Sequence, residues 1–83
     1  MQDINYNVTV TKGKKTLTLE LRGWWSSTNH LQLYSPSNNK SIAHWQGGAV
    51  QSEGVESDCK YFRGLVADHY GIPRESVTVT PAN

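Results

Sequence analysis

The sequence predicts an α+β domain: an antiparallel sheet of four to five strands packed against one helix, in the chain order β-β-β-β-α-β. Residues 4 to 46 alternate apolar and polar side chains, the period of half-buried strands. Residues 55 to 70 then set Val55, Cys59, Phe62, Val66 and Tyr70 at helical spacing, before a last alternating run around Val77 and Val79. Length supplies the third observation. Eighty-three residues suit one modest core, so residues 1–83 are expected to form a single domain. A chain of this size buries roughly 60–65% of the surface it exposes when unfolded.

The first hairpin is the clearest element. Ile4, Tyr6, Val8 and Val10 point one way, and Asn5, Asn7, Thr9 and Thr11 the other. Lys12-Gly13-Lys14-Lys15 is a polar loop. Leu17, Leu19 and Leu21 then alternate with Thr16, Thr18, Glu20 and Arg22. The Val/Leu face belongs to the core and the Thr-rich face to solvent.

A second hairpin follows. Leu31 and Leu33 alternate with His30, Gln32 and Tyr34, and residues 35 to 40 have the composition of a turn. The return strand over residues 41 to 46 sets Ile42 and His44 on one face and Ala43 and Trp45 on the other. Sequence leaves open which of these faces meets the core. Gly47-Gly48 ends the strand.

The helix is expected to begin between Ser52 and Asp58, with Ser52 or Ser57 as cap and Glu53, Glu56 and Asp58 complementing its N-terminal dipole. Its buried stripe is Val55, Cys59, Phe62, Val66 and either His69 or Tyr70, flanked by Leu65. Gly71 suits a left-handed stop, Ile72 can fold back on the last turn, and Pro73 prevents continuation. Residues 76 to 80 form the final strand. This helix–Gly-Ile-Pro–strand ending resembles the close of many small α+β domains, ubiquitin-like ones included, and places the chain in no family.

Composition narrows the function classes. A formal net charge of +1 does not by itself favour a strongly charged partner. A lone cysteine, Cys59, forms no internal disulfide, which points to a reducing, cytoplasmic setting. The N-terminal MQDINYNV has neither the basic nor the apolar region of a signal peptide, and no stretch reaches membrane-spanning length. The Asn7-Val8-Thr9 sequon matters only in a secreted protein.

Adjacent Trp24 and Trp25 are the strongest functional hint. Neighbours in an extended chain point to opposite faces, so both cannot enter one core. Either they cap the two sides of a strand end, or one of them is an interface anchor of the kind aromatic residues commonly supply.

Charge is also uneven. Residues 1 to 45 hold Lys12, Lys14, Lys15, Arg22 and Lys40 against Asp3 and Glu20, and the remainder is net acidic. A basic hairpin tip beside Trp25, Tyr34 or Trp45 would suit a nucleic-acid backbone with stacked bases. The plainer reading is that lysines keep a hairpin tip soluble and an edge unpaired.

Metal and catalytic signatures are weak. His30, His44, Cys59 and His69 show no paired short spacing of the zinc-site kind, although His30 and His44 can face each other across the second hairpin. Cys59 on the apolar stripe reads as a small buried hydrophobe. Glu20 has no evident acid–base mate, and no Gly-rich phosphate loop occurs. No metal, cofactor or enzymatic activity is expected.

These readings favour a stand-alone protein-binding module that acts by occlusion. The profile is that of small phage or mobile-element inhibitors of host defence complexes, anti-CRISPR-like in size and in lack of chemistry. Trp24, Trp25, Tyr34 and Trp45 are the expected contacts, with Lys12, Lys14 and Lys15 as a steering rim. The alternative is a nucleic-acid binder using the same lysines and aromatics. No membrane partner is expected, and the chain is read as a monomer or an edge-strand homodimer, with the first or last strand as the open edge.

Overall fold

The computed structural model describes residues 2–25, 29–47 and 52–82. Its elements are β1 (Gln2–Lys12), β2 (Lys15–Trp25), β3 (Asn29–Ser35), β4 (Lys40–Gly47), α1 (Val55–Tyr70), a 3-10 turn at Arg74–Ser76, and β5 (Val77–Pro81). The strands form one five-stranded sheet in the order β4-β3-β2-β1-β5. Every neighbouring pair is antiparallel. This is the α+β architecture that the change of period predicts.

The β1–β2 hairpin sets the register for the rest. Gly13 opens its two-residue turn at φ 63°, and Lys12 pairs with Lys15. A glycine at the first central position matches the chirality that twisted hairpins prefer. Pairing then runs without interruption to Gln2↔Trp25. At the other end of the chain, β5 returns beside β1, with Val8 opposite Val79. The edge strands are therefore β4 and β5. β1, expected as one candidate edge, lies inside the sheet because β5 pairs along it. The short β5 ends on Pro81, which lacks a backbone N–H to offer a further strand.

The core lies between one face of the sheet and α1. Ile4, Tyr6, Val8 and Val10 meet Leu19, Leu21, Trp25, Leu31, Leu33, Val77 and Val79, and Phe62, Val66 and Ala67 close the layer from the helix. Phe62 is its centre. Tyr6 meets it edge-on at 5.1 Å between ring centroids, and Trp25 stacks on it at 5.7 Å. Truncating a fully buried phenylalanine of this kind costs about 3–5 kcal/mol. Ala43 and Trp45 pack against the same cluster, which settles the face of β4 left open by the sequence.

The helix begins at Val55, within the expected Ser52–Asp58 range, but its capping departs from expectation. Its N-cap is Gly54, with no side-chain cap, and the Asp58 N–H donates to the Gly54 carbonyl at 2.9 Å. Neither Ser52 nor Ser57 caps directly. Ser52 Oγ instead donates to Asp58 Oδ2, and the Glu53 N–H donates to Asp58 Oδ1 at 3.3 Å. Those two donors make burial of the Asp58 carboxyl tolerable. Val55 has the right angular position but begins the helix, a turn before the first residue that meets the sheet, and is 56% exposed. Of the two candidates near the C-terminus, Tyr70 packs on the core and His69 is exposed.

The helix stop is as expected. Gly71 is left-handed, and the Ile72 N–H returns to the Ala67 carbonyl at 3.1 Å.

Candidate functional site

Only one face of the sheet is covered by α1. Alternation sends Asp3, Asn5, Asn7, Thr9 and Thr11 of β1 to the opposite, open face. Thr16, Thr18, Glu20, Arg22 and Trp24 of β2 join them, with His30, Gln32 and Tyr34 of β3 and His44 of β4. Most of this surface is polar and Thr-rich. Near the β4 side it becomes aromatic.

The tryptophan pair splits between the two faces. Trp25 is 4% exposed and belongs to the core, whereas Trp24 is 40% exposed on the open face. Trp24 stacks on His30 at 4.7 Å between centroids and 21° between planes. The two residues are directly paired, Trp24 on β2 with His30 on β3. His30 in turn stands 6.3 Å from His44 on β4, so three rings cross three strands in a row. His30 and His44 thus do face each other across the second hairpin.

Gly23 permits this row. A Cβ built at Gly23 would overlap the His30 carbonyl, with the Leu31 Cα at 3.1 Å. The close approach of β2 to β3 beside Trp24 therefore requires glycine.

A second cluster lies next to the row. Arg22 pairs with Glu20 and places its guanidinium 5.1 Å above the Tyr34 ring centroid. Arg22 also donates to Asn39 Oδ1 at 3.4 Å, and the Tyr34 hydroxyl donates to Gln32. Between the two clusters runs an open groove of about 400 Å³, lined by Asp3, Asn5, Arg22, Trp24, His30 and His44 among others. Asp3 stands directly opposite Trp24 in the β1–β2 register.

The expected contact set is therefore divided. Trp24 and Tyr34 lie on the open face, at the groove. Trp25 is enclosed in the core, which removes it from the contact surface and corrects that expectation. Trp45 is half-buried on the helix side, edge-on to His69 at 6.1 Å. Lys12, Lys14 and Lys15 surround the far hairpin turn. Lys15 and Trp24 are separated by a strand length of about 30 Å, so these lysines do not rim the aromatic groove.

Asp3, Asn5, Arg22, Gln32, His30 and His44 are among the groove residues that the expected contact set omits, although His30 and His44 were expected to face each other. A usable signal was present. Parity along β2, carried through Gly23, sends Trp24 outward with Glu20 and Arg22 and Trp25 inward with Leu21.

Other chemistry is sparse. Among the described residues, no three His, Cys, Asp or Glu side chains gather where they could hold a metal ion. Burial, then the nearby Asp58 carboxylate, pushes the Cys59 thiol above its ordinary range. That favours the thiol over the nucleophilic thiolate. Among the described residues no helix is long and apolar enough to cross a membrane. No protein-family model, curated protein or solved structure matches this chain.

Proposed function

We propose that this protein is a non-enzymatic binding module whose contact surface is the open sheet face, with Trp24 as its anchor and another protein as its partner. The observation that carries this reading is Trp24 itself. It is a large aromatic, 40% exposed on a largely polar face, braced against His30 by direct cross-strand stacking. A braced aromatic loses little side-chain freedom on binding, which is the property of interface hot spots. The surrounding strand residues Asp3, Glu20 and Arg22 leave the face without a positive field. Proteins meet such mixed surfaces, whereas binding to a phosphate backbone draws on clustered Lys and Arg.

The row of rings Trp24–His30–His44 is the observation that favours a second reading, single-stranded nucleic acid stacked on the sheet. That reading needs basic residues beside the rings, and Lys12, Lys14 and Lys15 lie at the opposite end of the hairpin. We rank it second. The narrower proposal within the first reading, a cytoplasmic inhibitor occluding a host defence complex as anti-CRISPR proteins do, rests on size and on lack of chemistry.

A tagged pull-down from host lysate, with and without nuclease and repeated with Trp24→Ala, tests the reading. A discrete protein that survives nuclease and is lost with Trp24→Ala supports it. Capture that vanishes with nuclease moves the weight to nucleic acid. Capture unaffected by Trp24→Ala refutes the proposed surface.

A further inference from the structure

We infer that the open face recognises an arginine side chain of its partner, held between the Trp24 indole and the Asp3 carboxylate. The inference deepens the proposed function and rests on the open face being the contact surface.

The chain carries one copy of this arrangement already. Glu20 and Tyr34 are directly paired across β2 and β3, and between them they hold the Arg22 guanidinium. Glu20 makes the ion pair and Tyr34 the ring contact at 5.1 Å. A carboxylate beside an aromatic face is thus a working guanidinium holder on this sheet.

Asp3 and Trp24 repeat the pair across β1 and β2. The Ala82 N–H donates to the Asn5 carbonyl at 3.1 Å, so the odd residues of β1 turn their backbone groups toward β5. Asp3↔Trp24 is therefore a non-hydrogen-bonded pair with β2, the class in which opposed side chains stand closer, about 4.5 Å between Cα atoms. One face of the indole is covered by His30. The exposure left at Trp24 accordingly lies on the side turned away from β3, toward Asp3. No ion pair forms at Asp3 among the described residues, because Arg22 is committed to Glu20.

Charge selects the occupant. Glu20 is matched by Arg22, which leaves Asp3 as the groove carboxylate without an ion pair among the described residues. Indole is the best of the side-chain rings for cations, and guanidinium can stack flat on it while its N–H fork meets a carboxylate. Lysine offers a point charge and no plane, so it gains less from the same pair.

The test is an NMR titration of ¹⁵N-labelled protein with a blocked Gly-Gly-Arg-Gly-Gly peptide and its lysine and citrulline counterparts. The expected result is a saturable shift of the Trp24 indole N–H and the Asp3 amide with the arginine peptide. The lysine peptide should bind at least about threefold more weakly, and citrulline should give no saturable shift. Asp3→Asn should weaken the arginine peptide about fivefold with the rest of the spectrum unchanged. Equal responses to arginine and citrulline, or no saturable shift at Trp24, overturn the inference. So does a single-stranded oligonucleotide moving these resonances where the arginine peptide does not. Should the peptides fail while Trp24→Ala still abolishes protein capture, the open face stands as the surface and only the arginine is removed.

Discussion

Trp24 and Trp25 are consecutive in sequence and lie on opposite faces of the sheet, one stacked on His30 and the other on Phe62. The pair therefore separates binding from stability within a single dipeptide. Trp25→Ala should cost about 3–5 kcal/mol, because it empties a buried site beside Phe62. Trp24→Ala should change stability by less than about 1 kcal/mol, since its ring is partly solvated and braced on one side only. Urea denaturation of the two variants measures the contrast, and equal losses would show Trp24 to be structural.

Gly23 carries the close approach of β2 to β3 beside that pair. Gly23→Ala introduces a methyl group into the His30 backbone carbonyl, and backbone cannot rotate away as a side chain can. We expect a loss of at least about 2 kcal/mol, with the amide resonances of β3 displaced. A variant of wild-type stability would show that the strands separate at little cost.

Asp58 should anchor the segment that leads into α1. Asp58→Ala removes the acceptor of the Ser52 hydroxyl and the Glu53 N–H. The expected cost is about 1–2 kcal/mol, the scale of lost hydrogen bonds to a charged acceptor. Ser57→Ala, whose hydroxyl reaches only Glu53 at 3.5 Å, should cost less than about 0.5 kcal/mol. Thermal midpoints of the two variants check the order.

Alkaline pH should destabilise the fold. Burial is the leading cause that raises the Tyr6 phenol, the Cys59 thiol and the Tyr70 phenol, with Asp58 and then Cys59 adding at Tyr6 and Asp58 at Cys59. Each group stays protonated in the folded chain after the unfolded chain has begun to lose its proton. Their contribution is complete below the unfolded values, about 8.5 for cysteine and 10 for tyrosine, and falls as pH rises through the raised folded ones. The urea midpoint should be level near neutrality and decline from about pH 9 upward. Cys59→Ala should remove the earliest part of the decline, and a curve unchanged by it would contradict the assignment.

The elements were legible because each announces itself locally. Alternation around Val8 and Leu19, the polar turn at Gly13 and the Gly71-Ile72-Pro73 stop need no tertiary information. Strand order did not follow, because β5 reaches β1 through pairing between residues such as Val8 and Val79, far apart in the chain. The site was half visible. Trp24 stood out by type, but its partners His30 and Asp3 come from two different neighbouring strands, and registers across β1–β2 and β2–β3 bring them together. Lys14 illustrates the converse. Its charge is conspicuous in sequence, yet the length of β2 carries it away from the groove.

The most direct test of the open face as the binding surface compares dissociation constants for a captured partner against Trp24→Ala and Tyr61→Ala. Both residues are aromatic and 40% exposed, but Tyr61 lies on the helix layer. The account predicts at least about a thirtyfold loss for Trp24→Ala and less than about threefold for Tyr61→Ala. The reverse order, or equal effects, would place the contact surface elsewhere and contradict it.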